Sequence, residues 1–130
     1  MLILTIRTDK PRAEISLYRE TKIISSLKWQ ADRKLADTIH IKIKELLDSQ
    51  SKQLNQINGI VCFEGPGSFT GLRIGLSVGN SLAYGLNVPI VGGSGPKWAI
   101  SGVKKIGAGI NGLIVIPKYG SLPHITLPKH

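Results

Sequence analysis

The stretch "GIVCFEGPGSFTGLRIG", residues 59 to 75, decides how the rest of the chain is read. The run at 59 to 63 predicts a buried strand, and the apolar periodicity after the loop predicts a helix from about Phe69 to Tyr84, closing at Gly85. A glycine loop between a strand and a helix exposes backbone N–H groups at the positive end of the helix. Gly65, Gly67 and Ser68 are therefore a candidate anion-binding loop.

The nucleotide motifs do not fit this loop. The Walker pattern needs lysine after its last glycine, and Leu72 follows Gly71; the dinucleotide pattern G-x-G-x-x-G misses its last glycine by one position, at Thr70. Glu64 is the one acid near enough to place a magnesium ion. Ser68 and Thr70 lack the G-x-S-x-G context and a base, so capping of the helix explains Ser68 better than nucleophilic chemistry does. No catalytic residue, metal site or cofactor is expected.

Within the helix, Gly71, Gly75, Gly79 and Ala83 recur every four residues and leave one face almost without side chains. Glycine costs up to about 1 kcal/mol per helical position relative to alanine, so the stripe needs an offsetting close contact. Either the chain's own sheet or a partner helix can supply it. For a partner, the contact residues expected are the stripe itself with Leu72, Arg73, Leu76 and Asn80. Ile41, which lies off the apolar face of the preceding helix, joins them.

Outward from this centre, "LILTI" (2 to 6), "AEISLY" (13 to 18) and "KIISSLKW" (22 to 29) predict three short strands in an antiparallel meander. Leu35, Ile39, Ile43, Leu46 and Leu47 mark one face of a helix from Asp32, a candidate N-cap, to Ser49. "VPIVGG" predicts a further strand and "PKWAISGVKKI" a third helix, while "GLIVIP" and "HITLP" read as a last strand pair. Strands first and then alternation of strand and helix predict an α/β fold, a mixed sheet with helices packed on it.

The 130 residues fit one domain. Seventeen Lys and Arg against eight Asp and Glu give +9, and no acid follows Glu64. Such an excess suits RNA or an acidic protein surface, or belongs simply to a basic soluble domain. The single cysteine, Cys62, lies in an apolar run and reads as core, which leaves no disulfide framework or cysteine-based metal site. His40, His124 and His130 are too scattered for a metal set. Trp29, Trp98, Tyr18 and Tyr84 show no spaced base-stacking motif, so packing is the expected role. The apolar start is too short for a signal peptide and no stretch reaches membrane-spanning length, so the expected location is cytoplasmic.

The segment "GPGSFTGLRIGLSVGNSLAYGLNVPIVGGS", residues 65 to 94, closely resembles the signature of the TsaB (YeaZ) family, and "MLILTIRTDKPRAEISLY" fits that family's opening strand pair. The resemblance covers roughly residues 1 to 105. It implies a lobe of the actin-like ATPase (ASKHA) class with a ribonuclease-H-like sheet. It also implies a non-catalytic partner of the enzyme TsaD that, with TsaE, serves threonylcarbamoyl modification of the tRNA adenosine next to the anticodon. The helices at 32 to 49 and 69 to 84 are then those that meet TsaD, or a second copy, as a helical bundle.

Three departures qualify the match. Arg7, Thr8 and Asp9 stand where the family's first strand typically ends in Asp-Thr-Ser, so the magnesium-facing carboxylate is replaced by a cation. The segment after the last long strand lacks the acids of the family's hairpin, and the family's second lobe is absent, so residues 1 to 130 are expected to form one N-terminal lobe. Two other readings follow from these departures: a basic RNA-binding or tRNA-delivery module built on the same lobe, and a self-associating ATPase-like enzyme, which Arg7 and the single lobe argue against.

Overall fold

A computed structural model describes residues 1–67 and 69–118. The chain runs β1 (Leu2–Arg7), β2 (Arg12–Arg19), β3 (Lys22–Gln30), α1 (Leu35–Ser49), β4 (Gly59–Phe63), α2 (Phe69–Leu86), β5 (Ile90–Gly93) and α3 (Trp98–Gly107). The five strands form one sheet in the order β3-β2-β1-β4-β5. β1 pairs antiparallel with β2 and parallel with β4, and β4 pairs parallel with β5.

Position in the sheet explains the strand sequences. β1 and β4 are central and covered on both faces, and "LILTI" and "GIVCF" are buried without interruption. β3 is an edge strand covered on one face. Leu27 and Trp29 turn inward while Lys28 and Gln30 face water, and Lys22 and Lys28 discourage pairing with another edge. A register shift between Leu17 and Tyr18 leaves Ile24 as the extra residue of β3, packed against the core.

Two cores lie on the two faces of the sheet. On one, Leu4, Ile6, Ile15, Ile60 and Cys62 pack against Leu35, Ile39, Ile43, Leu46 and Leu47 of α1 and Leu76 and Ala83 of α2. On the other, Ile3, Val61, Phe63 and Val91 meet Trp98, Val103 and Ile106 of α3, joined by Leu72. The face expected of α1 is thus the face it buries. Trp29 also packs inward, its Nε1 donating to Thr38 Oγ1 at 3.0 Å, and Trp98 is buried.

Several boundaries differ from expectation for local reasons. Asp32 does not cap α1: it adopts φ 48° at the start of a 3-10 turn (Asp32–Lys34), and its carboxylate accepts from Gln30 Nε2 at 3.1 Å. Gly85 does not close α2. The left-handed position falls on Asn87 (φ 57°), and Val88 N–H donates to Ala83 O while Asn87 N–H donates to Tyr84 O, the double bond of a Schellman end.

"GLIVIP" forms no strand. Residues 111 to 118 run as an irregular strap, bent at Leu113 (φ 68°), whose ends are tied by Gly112 N–H to Ile90 O and Lys118 N–H to Glu64 O, both at 2.7 Å, and whose middle is held by a side-chain amide: Asn80 Nδ2 donates to Val115 O and Asn80 Oδ1 accepts from Val115 N–H, both at 2.9 Å. Asn111 Oδ1 accepts from Ile90 N–H and Leu113 N–H. Its proposed partner "HITLP" lies outside the described residues, as do His124 and His130.

Candidate functional site

In open α/β sheets ligands bind beyond the carboxyl ends of the strands. Here the ends of β1 and β4 bring Arg7, Thr8 and Asp9 against the loop Glu64 to Gly67. Arg7 and Asp9 form a two-pronged ion pair, Nε to Oδ1 at 2.8 Å and Nη2 to Oδ2 at 3.2 Å. The guanidinium lies 3.9 Å from the centroid of Phe63, whose ring meets Trp98 edge to face at 5.7 Å. The spacing of two residues lets Asp9 fold back onto Arg7.

This arrangement crowds the candidate anion-binding loop. Gly67 lies so close to Asp9 that a Cβ there would collide with it, and the space beside Gly65 (φ 117°) is taken by the carbonyl of Lys118. A carboxylate and a carbonyl oxygen face a loop that an anion would have to enter. Glu64 is engaged as well, 3.0 Å from Lys118 Nζ, and Ser94 Oγ donates to Gly65 O at 2.7 Å. Ser68 lies outside the described residues. No cluster of three or more His, Cys, Asp or Glu able to hold a metal occurs among the described residues.

The glycine stripe also faces inward. Gly75 rests on the side chain of Thr8, whose Oγ1 donates to Gly71 O at 2.7 Å, and Gly79 rests on Cys62 Sγ; a Cβ at either would collide. Leu72 is fully buried, Leu76 is 3% exposed and Ala83 is buried, while Asn80 is spent on the strap. Gly75, Gly79, Leu72, Leu76 and Ala83 are thus turned into the fold, and Asn80 is half-buried. The backbone of α2 approaches β1 and β4 so closely that only glycine fits. Of the expected contact residues, Arg73 and Ile41 lie on the outside, Ile41 being 58% exposed.

The outward stripe of α2 is instead Thr70, Arg73, Ser77, Ser81 and Tyr84, and that of α1 includes Ala36, His40 and Ile41. Between the helices runs a groove with two concavities. One, of about 510 Å³, is lined by Ala36, His40, Arg73, Ile74, Ser77 and Val78. The other, of about 330 Å³, is lined by His40, Ile43, Leu47, Leu54 and Leu82 among others. His40 borders both. Sequence reasoning missed Ser77 and Tyr84, although their three- and four-residue spacing becomes visible once the glycine face is assigned inward.

The mixed sheet with helices on both faces and the glycine loop entering α2 define an actin-like ATPase lobe with a ribonuclease-H-like sheet. The family described as TsaD, tRNA N6-adenosine threonylcarbamoyltransferase, matches residues 28–100. A tRNA threonylcarbamoyladenosine biosynthesis protein TsaB from Buchnera aphidicola subsp. Schizaphis graminum is 32% identical over 91 residues, 70% of this chain and 43% of that protein. A tRNA N6-adenosine threonylcarbamoyltransferase from Geotalea daltonii is 44% identical over 62 residues, 48% of this chain and 18% of the relative. The solved structure of YeaZ from Pseudomonas aeruginosa superposes with a TM-score of 0.66 at 28% identity, covering 72% of this chain and 43% of that one. The chain belongs to this TsaD-related family, as a TsaB (YeaZ)-type N-terminal region, and it spans less than half the length of these relatives.

Proposed function

We propose that the chain serves tRNA threonylcarbamoyladenosine biosynthesis as a non-catalytic subunit that docks a TsaD-type enzyme through the outer face of α1 and α2. The observation that carries this reading is the uncovered groove between those helices, with Ile41 at 58% and Tyr84 at 90% exposure on its flanks. A concave strip between helices, bordered by exposed apolar side chains, offers a protein partner both shape and apolar area. The non-catalytic part rests on the Arg7–Asp9 pair, which fills the strand end where ATPase relatives of this lobe carry a free carboxylate. A second copy of the chain, or TsaE, competes for the same account of the groove.

The test is a light-scattering measurement on the chain mixed with a TsaD-type enzyme, using Ile41→Glu and Ser77→Glu. Both positions are exposed, so the variants fold. A one-to-one complex lost in both variants supports the reading. A complex indifferent to them, or a chain that pairs only with itself, overturns it.

A further inference from the structure

Beyond the groove, a second concavity of about 830 Å³ opens at the end of the sheet, where the β1–β2 connection meets the start of α1 and of α2. Lys10, Arg33 and Lys34 line it together with Thr70 and Gln30, and one carboxylate, Asp32, is held by Gln30 at 3.1 Å. The backbone fixes this meeting of residues distant in sequence: Ala31 and Asp32 N–H both donate to Pro11 O, at 2.8 and 3.2 Å. Lys10, Arg33 and Lys34 are exposed, and among the described residues none of them forms an ion pair.

That last fact matters because the chain's few acids are mostly committed elsewhere. Of eight acidic residues, Asp9, Glu20, Glu45, Asp48 and Glu64 are bound in ion pairs remote from this concavity or within the Arg7 fork. Here three of the seventeen cations are gathered on a concave wall that carries one carboxylate, Asp32. Arg33 and Lys34 also precede α1, where the helix dipole opposes cations, so helix stability does not account for them.

We propose that this concavity holds the phosphodiester backbone of RNA, with Lys10, Arg33 and Lys34 as the phosphate contacts. The inference rests on the tRNA-linked role proposed above, which selects RNA among polyanions. Long flexible cations around an open wall suit a backbone that is bound by charge and not by base sequence. The concavity adjoins the groove at Thr70 and Ile74, so an enzyme docked there would share the RNA with this wall.

The experiment is fluorescence anisotropy of a labelled, unmodified tRNA transcript titrated with the chain from 50 to 200 mM KCl. It compares Lys10→Gln/Arg33→Gln/Lys34→Gln with the charge-matched Lys97→Gln/Lys104→Gln/Lys105→Gln, on and beside α3. The first variant is expected to weaken binding about tenfold or more and to lower the slope of log K against log salt by about 2 to 3, the second to leave the slope unchanged. No binding by the unaltered chain, equal losses in the two variants, or tighter binding of polyglutamate than of tRNA through the same three residues overturns the proposal. Light scattering of the unaltered chain with the enzyme is read separately: no complex beside the expected tRNA response strikes the docking reading alone, and a complex beside no tRNA response strikes this proposal alone.

Discussion

Gly79 and Gly85 occupy one helix yet meet opposite surroundings, and they make the residue-scale argument measurable. Gly79 rests on Cys62, whereas nothing lies near Gly85. Gly79→Ala is expected to destabilise the chain by about 1 to 3 kcal/mol through overpacking, and Gly85→Ala to stabilise it by about 0.5 to 1 kcal/mol, both read from urea midpoints. Cys62 itself is fully buried, and burial pushes its thiol up to about 12. At pH 8 it should resist a thiol reagent until the chain unfolds. The sign of its pH effect follows: above about pH 9 the unfolded chain loses the thiol proton while the folded chain keeps it, so stability falls as pH rises toward 12. That contribution, up to about 1.4 kcal/mol per pH unit, should vanish in Cys62→Ala.

At the scale of elements, the strap at 111 to 118 is held by Asn80 through two hydrogen bonds to Val115. Asn80→Ala should raise amide exchange from Leu113 to Lys118 while leaving β1 and β4 protected, and a global loss of protection would contradict the local role. The strap also marks where sequence reasoning stopped short. β1 to β5 and all three helices were legible because burial imposes period and composition on them, as the inward leucines and isoleucines of α1 demonstrate. "GLIVIP" has strand composition but turns at Leu113 and is held by Asn80 and by one main-chain bond to Ile90 O in place of a ladder, a tertiary fact without local signal. The end of α2 was misplaced for a smaller reason: asparagine tolerates the left-handed conformation, so Asn87 took the position expected of Gly85.

The site was half legible. Replacement of the usual acid by Arg7 was visible in the sequence, but its closure by Asp9 required the fold. The glycine stripe was recognised as a close-contact face, and its partner turned out to be Thr8 and Cys62 of the same chain. Spacing within a helix reports that a face is tightly packed and says nothing of whose surface packs it.

Across the whole molecule, α1 and α2 spend their apolar faces on the sheet and leave a groove outside, α3 covers the opposite face, and Lys10, Arg33 and Lys34 gather beside the groove. The surfaces proposed for enzyme docking and for RNA contact adjoin, sharing Thr70 and Ile74. Leu76→Glu, on the inward face, should fail to fold and so cannot report on docking, whereas Ile41→Glu and Ser77→Glu can. Light scattering of the chain with a TsaD-type enzyme therefore decides whether the groove docks the enzyme. The account predicts a one-to-one complex that Ile41→Glu and Ser77→Glu each abolish without loss of fold; a complex that survives both substitutions would contradict it.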